Sequence, residues 1–235
     1  MTDGVSRFTS DRRTPRKAAW KDDVDWAAGT AENVDVTGSD LVGRSTQLNG
    51  LPDTIVEDFA NGDLSAWDNY GTGGASITNF ALHGDNALRV VRSSSNGNYL
   101  RNWSPPMSGR IELWFALAYE GIHDFTTFGD FADTNSNAVE SGFRLVHDSD
   151  RIGIETDVGR TTLVSNPTDR SYYPFRVNLD LDALVVESVA VNGSVTAVNE
   201  PFQSNSPLSE LIGVRTGDSG GSYTVFLDGI RYGVL

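Results

Sequence analysis

Two acids stand where a strand would turn them toward apolar neighbours. In Ile55-Val56-Glu57-Asp58-Phe59, alternation groups Glu57 with Ile55 and Phe59. In Phe226-Leu227-Asp228-Gly229-Ile230 it groups Asp228 with Phe226 and Ile230. A carboxylate on the apolar face of a strand is costly unless it is ion-paired or metal-bound. Two readings stay open. The acids take a hard cation, for which Ca2+ is suited by its permissive geometry and oxygen ligands. Alternatively, each acid ends its strand or meets an arginine such as Arg89 or Arg231.

A second group lies in residues 119–141, a stretch long for a β-sandwich connection. It carries His123, Phe125, Phe128, Asp130 and Phe131. Aromatic rings stack on sugar faces, and carboxylates accept hydrogen bonds from hydroxyls, so this loop is a candidate glycan site. The competing reading is that its rings cap the sandwich or pack on a neighbouring subunit. Other chemistries find no support. The chain has no cysteine, which removes disulfides, thiolate metal sites and Cys nucleophiles. His83, His123 and His147 lack metal-ligand spacing, and no nucleophile elbow or phosphate-binding loop occurs. Asn192-Gly193-Ser194 fits a glycosylation sequon but carries little weight in a chain without an export signal.

The elements that must position these residues are short strands. From Thr54 onward, runs rich in Val, Ile, Leu, Phe, Tyr and Thr alternate with Gly, Asn, Asp, Ser and Pro clusters. The clearest are 54–59, 75–80, 87–92, 99–103, 110–119, 142–147, 151–157, 173–179, 184–191 and 223–232. Helical periodicity is nowhere sustained. Asn192-Gly193 between apolar runs predicts a type I′ hairpin turn. The expected fold is all-β, a two-sheet antiparallel jelly-roll sandwich over residues 51–235, behind an extended arm over residues 1–50.

Charge divides the same two parts. The net charge is -14, and only two of the eighteen basic residues are lysines, Lys17 and Lys21. A strongly acidic surface nearly free of lysine is expected of a protein working in concentrated salt. Residues 1–21 nevertheless hold Arg7, Arg12, Arg13, Arg16, Lys17 and Lys21 against Asp3 and Asp11, a net of +4 that leaves -18 on the rest. With Phe8, Trp20 and Trp26 as its nearby large aromatics, this arm is expected to order only against a partner. Its arginines lack the aromatic interleaving of a nucleic-acid surface, so an acidic protein neighbour is the expected partner. No apolar run approaches the length of a membrane span and no leader is evident, so neither membrane insertion nor Sec export is expected.

Glu57-Asp58-Phe59-Ala60-Asn61-Gly62-Asp63-Leu64-Ser65-Ala66-Trp67 resembles the opening of concanavalin-A-like and carbohydrate-binding jelly-roll domains of the LamG-like kind. His83-Gly84-Asp85-Asn86-Ala87-Leu88-Arg89-Val90 looks like a following strand of these domains, and 223–232 is similar to their closing strand. The resemblance implies a structural Ca2+ held by Glu57 and Asp228 with the Gly84-Asp85 turn. Glycosidases of the same fold carry three alternating acids on one strand. Here Glu155-Thr156-Asp157 supplies two, but Gly159 and Arg160 stand where the proton donor belongs. Retaining chemistry needs a carboxyl pair about 5–5.5 Å apart, so no catalysis is expected on this strand.

The segment Asp25-Trp26-Ala27-Ala28-Gly29-Thr30-Ala31-Glu32-Asn33-Val34-Asp35-Val36 resembles one preceding such domains in tail and fibre proteins of tailed viruses, those of haloarchaea above all. This implies a non-enzymatic virion structural protein, a decoration, turret or tail-fibre component. Its arm would join homo-oligomers and other virion proteins, and its sandwich would meet host surface glycans or stabilise the particle at high salt. A carbohydrate-binding module of a halophilic cellular surface or secreted complex is the alternative, and a glycosidase with an unrecognised site the third.

Overall fold

The computed structural model describes residues 51–69, 74–92, 98–121, 126–128, 142–148, 150–203, 207–208, 210–216 and 223–235, together with 24–25 and 30–31. The chain divides into two units, Met1–Leu51 and Pro52–Leu235. Within the first, β1 (Val24–Asp25) and β2 (Thr30–Ala31) form an antiparallel pair. The remaining arm residues, including Arg7, Phe8, Arg12, Arg13, Arg16, Trp20 and Trp26, lie outside the described residues.

The second unit is the expected jelly-roll sandwich. Its strands are β3 (Thr54–Glu57), β4 (Trp67–Asn69), β5 (Gly74–Thr78), β6 (Ala87–Arg92), β7 (Asn98–Asn102), β8 (Arg110–Glu120), β9 (Thr126–Phe128) and β10 (Arg144–Asp148). Then come β11 (Arg151–Glu155), β12 (Arg160–Ser165), β13 (Tyr173–Asp180), β14 (Val185–Val191), β15 (Ser194–Pro201), β16 (Leu211–Thr216) and β17 (Tyr223–Val234). One sheet runs β12-β11-β10-β9-β16-β7-β4. The other runs β15-β14-β13-β8-β17-β6-β5, with β3 also on β17. Every pairing among the described residues is antiparallel.

Alternation builds the core. On β8, Ile111, Leu113, Phe115, Leu117 and Tyr119 face the other sheet, where they meet Leu145, Ile152, Ile154, Ile212 and Val214. Trp114, Ala116 and Ala118 take the opposite side of β8 yet are buried as well. Residues 79–86 cover that side: Phe80 packs edge-on against Phe226 at 4.8 Å and stacks on Tyr172 at 5.1 Å. This double coverage is why β8 reads as an almost unbroken apolar run. The Asn192-Gly193 turn is present, with φ of 50° and 82° at its two residues, between β14 and β15.

Among the described residues of the sandwich, five strands fall outside the ten runs read from sequence: β4, β9, β12, β15 and β16. Of these, β9 corrects the expectation of one continuous loop over 119–141. Thr126–Phe128 pairs with β10 and β16 in the middle of a sheet.

Candidate functional site

Glu57 sets the first part of the site. β3 meets β17 with a register shift, so Glu57 lies opposite Ile230 while Ile55 lies opposite Arg231. Glu57 therefore shares the core-facing side with Ile230 and Phe115, and Ile55 is exposed rather than grouped with it. Arg101 on β7 lies opposite Ile212 and Trp67, and so faces inward from the other sheet. The two side chains meet across the sandwich, Arg101 Nη1 to Glu57 Oε2, at 2.8 Å. Trp67 Nε1 donates to the same oxygen at 2.9 Å. The other oxygen accepts the backbone N–H groups of Asp58 at 3.0 Å and Phe59 at 2.8 Å. Those bonds hold a tight turn in which Phe59 adopts a φ of 55°, unusual for a bulky residue. Phe59 then stacks on Trp67 at 5.7 Å.

Asp228 sets the second part, on the other side of the sheet. Gly229 forms a bulge with a φ of 62°, so that Asp228 lies opposite Ala116 and Ile230 opposite Phe115. The bulge separates Asp228 from Ile230, which the simple alternation had grouped together. Asp228, buried beside Phe226, accepts the backbone N–H groups of Leu82 and His83, each at 2.5 Å. Burial pushes its carboxyl up to about 6, against the opposing pull of those two amides and the Arg231 charge. His83 in turn lies edge-on to Trp114 at 5.0 Å.

The cation expected at Glu57, Asp85 and Asp228 does not fit this arrangement. Asp85 and Asp228 line a cavity of about 230 Å³ with Asp58, His83, Trp114 and Arg231, and Glu57 is not part of its wall. Glu57 lines a separate groove of about 270 Å³ with Asp58, Asp63, Ser65 and Arg101. Both of its oxygens are already committed. The open alternative, pairing to arginine, holds for Glu57, but the partner is Arg101 rather than Arg89 or Arg231. Among the described residues, no group of three His, Cys, Asp or Glu side chains is gathered to hold a metal ion. Arg101 was not singled out from the sequence, although its position carries a signal. It alternates with Tyr99 and Trp103 on a strand whose inward side is otherwise aromatic.

The acid strand holds a clamped carboxylate rather than an alternating acid set. β11 ends at Glu155, and Asp157 stands in the following turn instead of alternating on the strand. Glu155 Oε1 accepts Arg144 Nε at 2.9 Å and a second, closer bond from Arg144 Nη2. Its Oε2 accepts Arg160 Nε at 3.2 Å and Nη2 at 2.8 Å. Burial alone would raise this carboxyl, but the hydrogen bonds and charges of the two arginines outweigh it and hold it below the usual carboxylate range. Arg144 and Arg160 keep Glu155 ionised and occupy both of its oxygens, so it is poorly placed to deliver a proton. Arg160, which interrupts the glycosidase pattern in the sequence, is one of the two clamps.

Of the loop residues proposed to bind glycans, His123, Phe125, Asp130 and Phe131 lie outside the described residues. Phe128 belongs to β9, in register with Leu145 and Val214.

The fold and site define a lectin-like, antiparallel jelly-roll sandwich. No family model and no curated protein matches the chain. Among solved structures, the fold is similar to that of the carbohydrate esterase vb_24B_21 from Shiga toxin-encoding bacteriophage phi24B. That similarity holds at 15% identity and a TM-score of 0.51, over 77% of this chain and 96% of that one. Looser likenesses are to cellulose induced protein Cip1 (18% identity, TM-score 0.48, 75% of this chain and 95% of that one) and to peanut lectin (15%, 0.44, 74% and 95%).

Proposed function

We propose that this chain is a non-enzymatic virion structural protein whose lectin-like sandwich attaches to host surface glycans while the basic arm joins it to the particle. The observation that carries the non-enzymatic part is the Glu155 clamp. The one strand whose acids suggested glycosidase chemistry holds its carboxylate between Arg144 and Arg160. The sandwich fold and its polar groove at Glu57, Asp58, Asp63 and Ser65 support recognition without turnover. The charge contrast between residues 1–21 and the rest supports an arm that docks elsewhere. A phage protein, vb_24B_21, has a similar sandwich, and its name carries carbohydrate-ester cleavage, so ester hydrolysis belongs in the test.

The test incubates the full chain in molar NaCl with glycans released from candidate host surfaces. The expected result is saturable binding with no release of reducing sugar or acetate. Turnover that disappears in Glu155→Gln would overturn the non-enzymatic reading. Absence of the chain from purified virions would overturn the virion role.

A further inference from the structure

Glu57 is an acid on the inner side of a sandwich, and such an acid calls for a positive charge and for donors to both of its oxygens. The structure supplies both from the chain itself. Arg101 Nη1 and Trp67 Nε1 reach one oxygen at 2.8 and 2.9 Å, and the Asp58 and Phe59 amides reach the other at 3.0 and 2.8 Å. We infer that Arg101 is a built-in cation, standing where Glu57 would otherwise recruit a metal ion, and that this site of the sandwich needs no calcium.

Three features carry this beyond a simple ion pair. First, the neighbouring acid that would have to share the metal is on the wrong side. Asp228 faces away from the core, and its carboxylate is bonded to the Leu82 and His83 amides. Second, a cation entering the Glu57 groove would meet the Arg101 guanidinium, which lines that groove and repels it. Third, the Glu57 carboxylate that Arg101 neutralises links three strands. The Arg101 contact ties β3 to β7 across the two sheets, while Trp67 on β4 adds a neutral donor to the same carboxylate.

The physical gain is independence from the medium. A bound metal stabilises a fold by an amount that grows with the logarithm of its free concentration over its dissociation constant, and a chelator removes it. A tethered guanidinium stays charged at any accessible pH and cannot be diluted away. In concentrated salt, where long-range attraction is screened, a pair in direct contact still holds.

The experiment uses the full chain in 2 M NaCl, melted with EGTA and with added Ca2+, alongside calorimetric titration with CaCl2 alone. The expected melting temperatures agree within about 1 °C, and the titration shows no saturable heat. Arg101→Met should lower the melting temperature by about 5–10 °C, as losing one partner of a largely buried pair does in a chain of this size. Arg101→Lys should recover part of that loss. A fall of several degrees with EGTA in the wild-type chain, or a saturable Ca2+ heat lost in Glu57→Gln, would overturn the inference. So would an Arg101→Met chain that melts with the wild type. Should Arg101→Met fail to fold, the wild-type EGTA comparison decides alone. Neither measurement involves a glycan, so a failed binding assay would leave this result standing.

Discussion

Glu57 and Asp228 lie on strands that pair with each other, yet they point to opposite sides of the same sheet. The cause is local. Gly229 inserts one extra residue between Asp228 and Ile230, and the offset of β3 then sets Glu57 beside Ile230. Two acids that alternation alone would gather on one side become two separate problems. One is solved by Arg101 from the facing sheet, and the other by the amides of residues 82 and 83.

The buried Asp228 makes stability depend on pH. Its folded value of about 6 exceeds the ordinary 3.8, so the folded chain binds this proton more tightly than the unfolded one. The contribution is fully present below about pH 4 and is lost as pH rises through 6. Unfolding free energy should fall by about 2–3 kcal/mol from this group between pH 4 and pH 7. His83 and Arg231 line the same cavity, so the comparison is between wild type and Asp228→Asn. Denaturant titrations should show a flatter pH dependence in the variant. Identical slopes would count against the assignment.

Gly229 should tolerate substitution far less well than Gly84. Its φ is 62°, and a Cβ there would sit 2.7 Å from Trp114 Cζ3. Gly84 has a φ of 67° but open space around it. Gly229→Ala should cost about 3 kcal/mol or more, and Gly84→Ala about 1 kcal/mol. Urea midpoints followed by tryptophan fluorescence would separate them, and equal costs would mean the Trp114 contact is unimportant.

Removal of residues 1–50 should leave a folded, soluble sandwich, because Pro52–Leu235 is a compact unit of its own. Circular dichroism should retain its β signal, while incorporation into particles should be lost. Normal incorporation of the truncated chain would move the assembly role to the sandwich surface.

Salt should stabilise the sandwich. With -18 outside the first 21 residues, repulsion between carboxylates is strong at low ionic strength. At 1 M salt the Debye length is about 3 Å, which leaves contact pairs and removes most of that repulsion. Melting temperature should rise from 0.1 to 2 M NaCl by roughly 10 °C, on the order of several kcal/mol at 2–4 °C each. A flat series would contradict salt adaptation.

Strand existence and fold class were legible because they rest on local alternation. All ten runs read from residues 54–232 form strands, and the Asn192-Gly193 turn forms as its φ tolerance requires. The weakness of the glycosidase pattern was legible too, since Arg160 is visible in the sequence. What alternation could not supply was the side each acid faces, because one bulge reverses the parity of everything beyond it. Nor could it name Arg101, which lies 44 positions from Glu57 and meets it only because the two sheets stack face to face. The short strand β9 is only three residues, Thr126-Thr127-Phe128, too few for alternation to register, and its pairing comes from β10 and β16 on either side. Local chemistry determined which residues could act. Only the packing of one sheet on the other decided which of them meet.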